Sequence, residues 1–442
     1  WDEALDIACD GIRRAMEAHG PQSVLPFNYA GPHGQLAVGS MDLRFFNRLG
    51  ASQLDRGPLC GGVRGVAYAS LFGSGPGMPP EQAADADLIA VWGNNVTVSN
   101  LHFQRVIQSA RAHGGKLVVV DPKRIRVAEQ AHLFVQIKPG TDVVLALAMA
   151  AEFERRGVID RAFVGQWAEG LEPFMAQARQ ISLADAERAC RVSKATIEEL
   201  LDLYVQSQRL SLSVGNGIER GHSGGSGIRA IMSLNVLLGQ MGRPGAGIFA
   251  KPGLAFPTTS ARLHRTDFLP AGTRTINIVD VSRHLVDDAL DPPIRALFIY
   301  NHNPVATHPD QNLMCEALSN ETVFIAGSDV VMTDSMAYAD VVFPAASHFE
   351  FADIYGAYGH NYLQRAAPVI PPLGESVSNT ELFRRLAARY GFDDPALRAT
   401  DAELMDDAYD PSDTRLQGMR PSQLPLDKAL MMQTTAGEDV RL

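Results

Sequence analysis

Between Asp87 and Asp142 the chain is apolar over three strand-length stretches: Leu88–Trp92, Lys116–Val120 and Phe134–Ile137. Each is rich in Val, Ile or Leu, as buried parallel strands are. Each stops at a polar loop: Gly93-Asn94-Asn95, Asp121-Pro122-Lys123, and Pro139-Gly140-Thr141-Asp142. Between the first two stretches, Leu101, Val106, Ile107 and Ala110 are apolar at helical spacing. The pattern predicts strand–helix–strand units with right-handed crossovers. Ligands of such sheets lie outside the carboxyl ends of the strands. Gly93, Asn94, Asp121, Gly140 and Asp142 are therefore predicted to converge on one site.

The same grammar recurs along the chain. Trp1–His19 has Leu5, Ala8, Ile12, Ala15 and Met16 on one helical face, and Gly20-Pro21 ends it. Val24–Tyr29 is a predicted strand, and Met41–Leu49 a helix. Further helices are predicted over Val143–Arg156, Asp160–Trp167, Lys194–Gln206 (with Ser193 as N-cap) and Ile228–Gly239. Arg209–Val214 is a strand that ends in Gly215-Asn216-Gly217. A second nucleotide-type unit begins with the strand Ala296–Tyr300 and the loop Asn301-His302-Asn303-Pro304. Pro309–Leu318 is its helix. Thr322–Ala326 follows and ends in Gly327-Ser328-Asp329, and Asp340–Phe343 ends in Pro344. Thr380–Tyr390 is a helix. Lys251–Thr275 is irregular and is a candidate lining for a substrate funnel; the polar tail from Asp393 reads as a connecting segment. The fold class is α/β, with two doubly wound parallel-sheet domains and the second inserted into the first.

Composition narrows the function. A chain of 442 residues, 46% hydrophobic and 20% charged, is that of a soluble globular enzyme of two to three domains. A net charge of −11 disfavours nucleic acid and anionic membranes as partners. No run reaches the roughly eighteen apolar residues of a membrane span. Cys9, Cys60, Cys190 and Cys315 are far apart with no C-x-x-C, so neither a zinc site nor a disulfide framework is predicted.

The chemistry lies in the loops. Gly93 permits close backbone approach. Asn94 and Asn95 offer donors and acceptors that suit a pterin or purine edge. Asp121 and Asp142 offer acceptors for ribose hydroxyls or a guanine N–H edge. Cys60 stands in the glycine loop Leu59-Cys60-Gly61-Gly62-Val63-Arg64-Gly65. The fixed charge of Arg64 favours a thiolate nearby. A lone cysteine is more often an inert buried residue, and that reading stays open on these residues alone.

The segments WGNN, VVVDPKR and IKPGTDVVLALAMA resemble the molybdopterin oxidoreductases of the dimethyl sulfoxide reductase family, and the likeness runs through nearly the whole chain. The resemblance implies molybdenum or tungsten held by two molybdopterin guanine dinucleotides, with Cys60 as the protein ligand to the metal. It assigns one dinucleotide to Gly93, Asn94, Asn95, Asp121, Pro122, Lys123, Gly140, Asp142 and the loop Gly215-Asn216-Gly217. It assigns the other to Asn303, Pro304, Ser328 and Asp329. Arg64 and His222 become candidate catalytic contacts, with an ordinary loop histidine as the alternative for His222. The family's arrangement implies one domain over 1–55 and 291–390, an inserted domain over 56–290, and a connecting segment over 391–442. Formate dehydrogenases usually follow the metal ligand with His, where Gly61 stands here. Sulfoxide-type oxygen-atom transferases usually carry Ser at the ligand position.

The implied activity is that of a formate-dehydrogenase-like or related oxidoreductase acting on a small molecule. The alternatives are a non-redox hydratase or transhydroxylase on the same cofactor, or a silent subunit of an electron-transfer complex. Implied partners are further N- and C-terminal domains of a longer parent protein, or electron-transfer subunits. A 4Fe-4S cluster is expected at most in the parent protein, because this chain lacks grouped thiolates. Localisation stays open between cytoplasm and periplasm.

Overall fold

A computed structural model describes residues 1–73, 75, 77–249, 256–357 and 360–432. The chain divides into two compact units. The first comprises Trp1–Leu59, Phe256–Gly356 and Tyr362–Met432; the second is built mainly on Cys60–Ala255.

The second unit centres on five parallel strands. Their order across the sheet is Leu133–Val135, Lys116–Val120, Leu88–Trp92, Leu210–Val214, Gly247–Phe249. The central strand is buried on both faces, which is why its sequence runs apolar without alternation. Leu88, Ala90 and Trp92 pack with helices Asp142–Arg155, Lys194–Gln206 and Gly224–Leu237. Ile89 and Val91 face the opposite layer, with Phe103, Ile107 and Ala110 of helix Leu101–Ala112. The chain enters at the central strand, winds to one edge, then returns to the other side. The winding therefore reverses between Leu88–Trp92 and Leu210–Val214, and such a reversal opens a crevice at the carboxyl ends.

The first unit has four parallel strands in the order Val24–Asn28, Ala296–Tyr300, Phe324–Asp329, Val341–Pro344. Leu297 and Ile299 pack with helices Val281–Asp287 and Gln311–Leu318. Phe298 and Tyr300 point the other way, onto Phe46 and Phe383 of helices Met41–Leu49 and Asn379–Arg389. Here the order across the sheet follows the order along the chain, without reversal among the described strands.

Both units are α/β with a parallel sheet and helices on both faces, as the apolar runs predict, and the expected double winding, with its reversal, is seen in the second sheet among the described strands. Their boundaries differ from those expected. Residues 256–290 belong to the first unit, and 391–432 pack in it as well, carrying helix Asp401–Asp407, where a connecting segment was expected. The physical reason is Arg44, which is 1% exposed. Its guanidinium donates to the Leu263 carbonyl at 2.8 Å, the Ala396 carbonyl at 2.8 Å and Asp407 Oδ2 at 2.7 Å. One buried cation thus ties both segments to the Met41–Leu49 helix, a link that hydrophobic periodicity cannot show. Of the expected funnel segment, residues 251–255 lie outside the described residues.

Candidate functional site

In the second unit the two strands at the reversal end in loops that pack backbone against backbone. Gly215 N–H donates to the Trp92 carbonyl at 2.9 Å, and Gly217 N–H to the Gly93 carbonyl at 3.2 Å. A Cβ on Gly215 would sit 2.1 Å from the Gly93 oxygen, and one on Gly93 would sit 2.7 Å from Ile218. Gly93 also has φ +60°, a left-handed conformation open to glycine. The close approach predicted for a ligand is therefore, at these glycines, an approach of one loop to the other.

A cleft of about 430 Å³ opens over these loops. It brings together Cys60, Arg64, Gly93, Asn94, Asn95, Asp121, Lys123, Gly215, Asn216 and Gly217 from the predicted set. Ser99, Asn100, Ser213 and Phe249 join them, although the apolar pattern did not single them out. Ser213 had a signal: in the buried strand LSLSV, Ser211 and Ser213 occupy positions where a core residue is expected. Ser213 Oγ accepts from Asn94 Nδ2 at 2.9 Å. Asp121 is buried, and Lys123 N–H donates to its Oδ1 at 2.8 Å. Burial pushes the Asp121 carboxyl up, against the pull of that N–H, and the nearby Asp142 adds to the rise. Asn95 precedes a short helix, and its Oδ1 accepts from Thr97 Oγ1 at 2.9 Å.

Four predicted residues of the second unit do not line this cleft. Asp142, the first residue of its helix, is buried, and its Oδ1 accepts from the Trp92 indole N–H at 2.7 Å. Its carboxylate therefore holds the core together, and burial pushes it up against the pull of Trp92. Gly140 is exposed with φ +79°, and its carbonyl accepts from Ser223 Oγ at 3.1 Å. His222 is exposed in the adjoining turn, and Pro122 is exposed beside Asp121. The expected convergence is thus narrower: Gly93, Asn94 and Asp121 meet, while Gly140 and Asp142 serve the helix start that follows them.

The expected glycine loop around Cys60 is a helix start. Helix Gly62–Phe72 has Gly61 at its N-cap without a side-chain cap of its own. The cap comes from far along the sequence: Glu219 Oε2 accepts from the Arg64 N–H at 2.9 Å. Arg64 Nη1 donates to the Val214 carbonyl at 2.8 Å, and Nε lies 3.8 Å from Glu219 Oε1. These contacts tie the guanidinium to the Val214–Glu219 side of the cleft. Cys60 itself is half-buried; Asn216 Nδ2 lies 3.6 Å from its Sγ and Arg220 Nη2 2.7 Å from its carbonyl oxygen.

In the first unit, Asn303 precedes a short helix without capping it, and its Oδ1 accepts from Ser335 Oγ at 2.6 Å. Pro304 is buried at the first helical position. Ser328 is buried within its strand, and Asp329, at the strand end, accepts from Val330 N–H at 2.8 Å.

Comparisons with known proteins agree with this architecture. A family model described as molybdopterin oxidoreductase matches residues 1–389. The chain is 35% identical over 415 residues to a probable oxidoreductase, YoaE, of Bacillus subtilis (strain 168), covering 93% of this chain and 60% of that protein. It is 22% identical to formate dehydrogenase H of Escherichia coli (strain K12), covering 89% of this chain and 58% of that one. Among solved structures, acetylene hydratase from Pelobacter acetylenicus superposes with a TM-score of 0.80 at 20% identity, over 98% of this chain and 63% of that one. The chain therefore spans about three fifths of the length of these relatives.

Proposed function

The chain belongs to the molybdopterin oxidoreductase family, and from that premise we propose that it forms the central part of a molybdenum or tungsten oxidoreductase, formate-dehydrogenase-like or related. The observation that carries the reading is the position of Cys60. A half-buried thiol shares one cleft with the polar ends of the two strands where the sheet reverses. A cleft of about 430 Å³ with a few convergent polar groups suits a small-molecule cofactor.

The residues present fit the group. Asn94, Asn95, Asp121, Lys123 and Asn216 supply donors, acceptors and one cation for a pterin or its nucleotide part. Cys60 supplies the sulfur ligand, and sulfur suits such a metal better than oxygen does. We assign the second dinucleotide to the turns Asn303-Pro304 and Ser328-Asp329 through their backbone groups, because the Asn303 side chain is already engaged by Ser335. The bound metal supplies the two-electron chemistry; this chain holds it, orients it and shields it. The substrate is a small molecule, and electrons leave through other domains or subunits of the parent protein. Arg64 and His222 stay as candidate substrate contacts.

X-ray absorption at the metal edge tests the reading in the full-length protein. Cys60→Ala should remove one metal–sulfur bond and most redox activity. Acid extraction of the wild type should release two guanine nucleotides per metal. An unchanged sulfur count in Cys60→Ala would show that Cys60 is not the ligand, and one nucleotide per metal would remove the second site.

A further inference from the structure

The turn Asn216–Arg220 touches the Cys60 turn at three places. Asn216 Nδ2 lies 3.6 Å from the Cys60 sulfur, and Arg220 Nη2 lies 2.7 Å from the Cys60 carbonyl. Glu219 Oε2 receives the Arg64 N–H at 2.9 Å, in the first turn of the helix that Cys60 precedes. The Glu219 side chain is fully buried, so this acceptor is shielded from water and hard to replace. The turn is itself fixed to the sheet, because Gly217 N–H donates to the Gly93 carbonyl. Neighbouring glycines make room for it. A Cβ on Gly61 would meet Arg64 Nη2 at 3.3 Å, and one on Gly224 would meet the Ile218 oxygen at 2.6 Å.

We infer that Glu219 is a positioning residue for Cys60: it caps the Cys60 helix from outside that helix and so registers the thiol on the carboxyl ends of the reversing strands. The inference rests on the reading of Cys60 as a metal ligand only for its functional meaning. The positioning itself is a property of the protein without metal. Glu219 touches neither substrate nor metal in this account; it acts through the Arg64 N–H and the helix start. A local cap would have come from residue 61, but glycine there has no side chain to offer. The distant carboxylate does the work of an N-cap, which satisfies a helix N–H that would otherwise lack an acceptor.

Alkylation of the full-length, metal-free protein by iodoacetamide, followed by peptide mass mapping, tests this. Cys60 reports the position, while the buried Cys9 and Cys190 report the fold. Glu219→Ala should raise the Cys60 alkylation rate about tenfold, as loss of one buried hydrogen bond would, and leave Cys9 and Cys190 slow. Glu219→Gln keeps an oxygen that accepts from Arg64, so its Cys60 rate should stay within about twofold of wild type. The proposal is overturned by an unchanged Cys60 rate in Glu219→Ala. It is equally overturned by a parallel rise at all three cysteines, which marks a merely structural residue, or by Glu219→Gln behaving like Glu219→Ala. X-ray absorption of the metal-loaded wild type and Cys60→Ala reads the ligand assignment separately, so either idea can fail alone.

Discussion

The two sheets use the same sequence grammar for different ends. In the first unit, the polar residues after each strand are largely satisfied by the unit's own atoms. Asn28, at the end of its strand, donates to Tyr300 Oη at 2.7 Å, and Tyr300 in turn donates to Asp42 at 2.8 Å. The short helix beyond the Gly31–Gly34 loop gives its Leu36 and Ala37 N–H groups to the buried carboxylate of Asp353. After the next strand, His302 and His308 share a hydrogen bond of 2.9 Å between their Nε2 atoms. Burial holds these imidazoles low, at about 3 and about 4. A cavity of about 610 Å³ in the first unit lies at the other end of its strands, where Arg295, Phe324 and Asp340 line it. In the second unit, by contrast, the carboxyl-end loops open onto the cleft. Asn94 Oδ1 and the Lys123 ammonium make no hydrogen bond with other described residues. The lesson is that a polar loop after an apolar strand marks a strand end, and the partners supplied by the rest of the unit decide which of its side chains stay open to a ligand.

The largest effect that tests this contrast is a pH dependence in the first unit. Asp353 is fully buried, and burial pushes its carboxyl up to about 7 despite three backbone N–H donors. The folded value lies above the ordinary 3.8, so folding favours the protonated form. This stabilisation is complete below the unfolded value. It is lost as pH rises from about 4 and levels off above about 7. A shift of that size corresponds to at most about 4 kcal/mol. Denaturant titrations of wild type and Asp353→Asn across that range should diverge, with the variant gaining relative stability as pH rises. Parallel curves from pH 4 to 7 would mean that Asp353 does not close this loop as a buried acid.

A smaller effect sharpens the contrast inside the second unit. Trp92 is fully buried and donates its indole N–H to Asp142. Asp142→Ala leaves that donor without an acceptor, at a cost of about 2 kcal/mol. Asp142→Asn keeps an acceptor oxygen and should recover most of it. Guanine nucleotide retention at saturating metal should be similar in the Asn variant and wild type. If Asp142→Asn instead loses nucleotide at full stability, Asp142 belongs with the cleft residues after all.

These cases also show which parts of the molecule were legible in the sequence. The runs Leu88–Trp92, Lys116–Val120 and Ala296–Tyr300 are strands within the predicted bounds, because strands buried on both faces are largely apolar without alternation. The meeting of Gly93, Asn94 and Asp121 followed from strand order and chain direction alone. Cys60 was found as a glycine-flanked cysteine, but its helix was not, since its cap, Glu219, lies far along the chain. Asp142 shows the same limit: its partner at the helix start is the buried indole of Trp92, fifty residues back along the chain. Arg44 sits on the apolar helix Met41–Leu49, and nothing local tells that it gathers residues 263, 396 and 407. Periodicity records which side of an element is buried. It does not record which distant polar group completes a polar side chain.

The smallest effect compares the two units directly, asparagine against asparagine. Asn303 and Asn94 both follow an apolar strand, and both were expected to hold a dinucleotide. Asn303 Oδ1 is the acceptor for Ser335 Oγ, and Ser335 is fully buried and also receives the Val305 N–H at 3.0 Å. Asn303→Ala deprives that hydroxyl of its acceptor inside the protein, so it should cost about 1 kcal/mol of stability. Asn94 is half-buried, and its bond to Ser213 can be replaced by water entering the cleft. Asn94→Ala should therefore leave the denaturation midpoint within about 0.5 kcal/mol of wild type. The order should invert for guanine nucleotide retained after gel filtration of the full-length protein. Asn94→Ala should lose several-fold more than Asn303→Ala, because the amide at 94 borders the cleft while the side chain at 303 is already committed. Loss of nucleotide in Asn303→Ala without loss of stability would put its side chain in a ligand site, and the two sheets would then be alike.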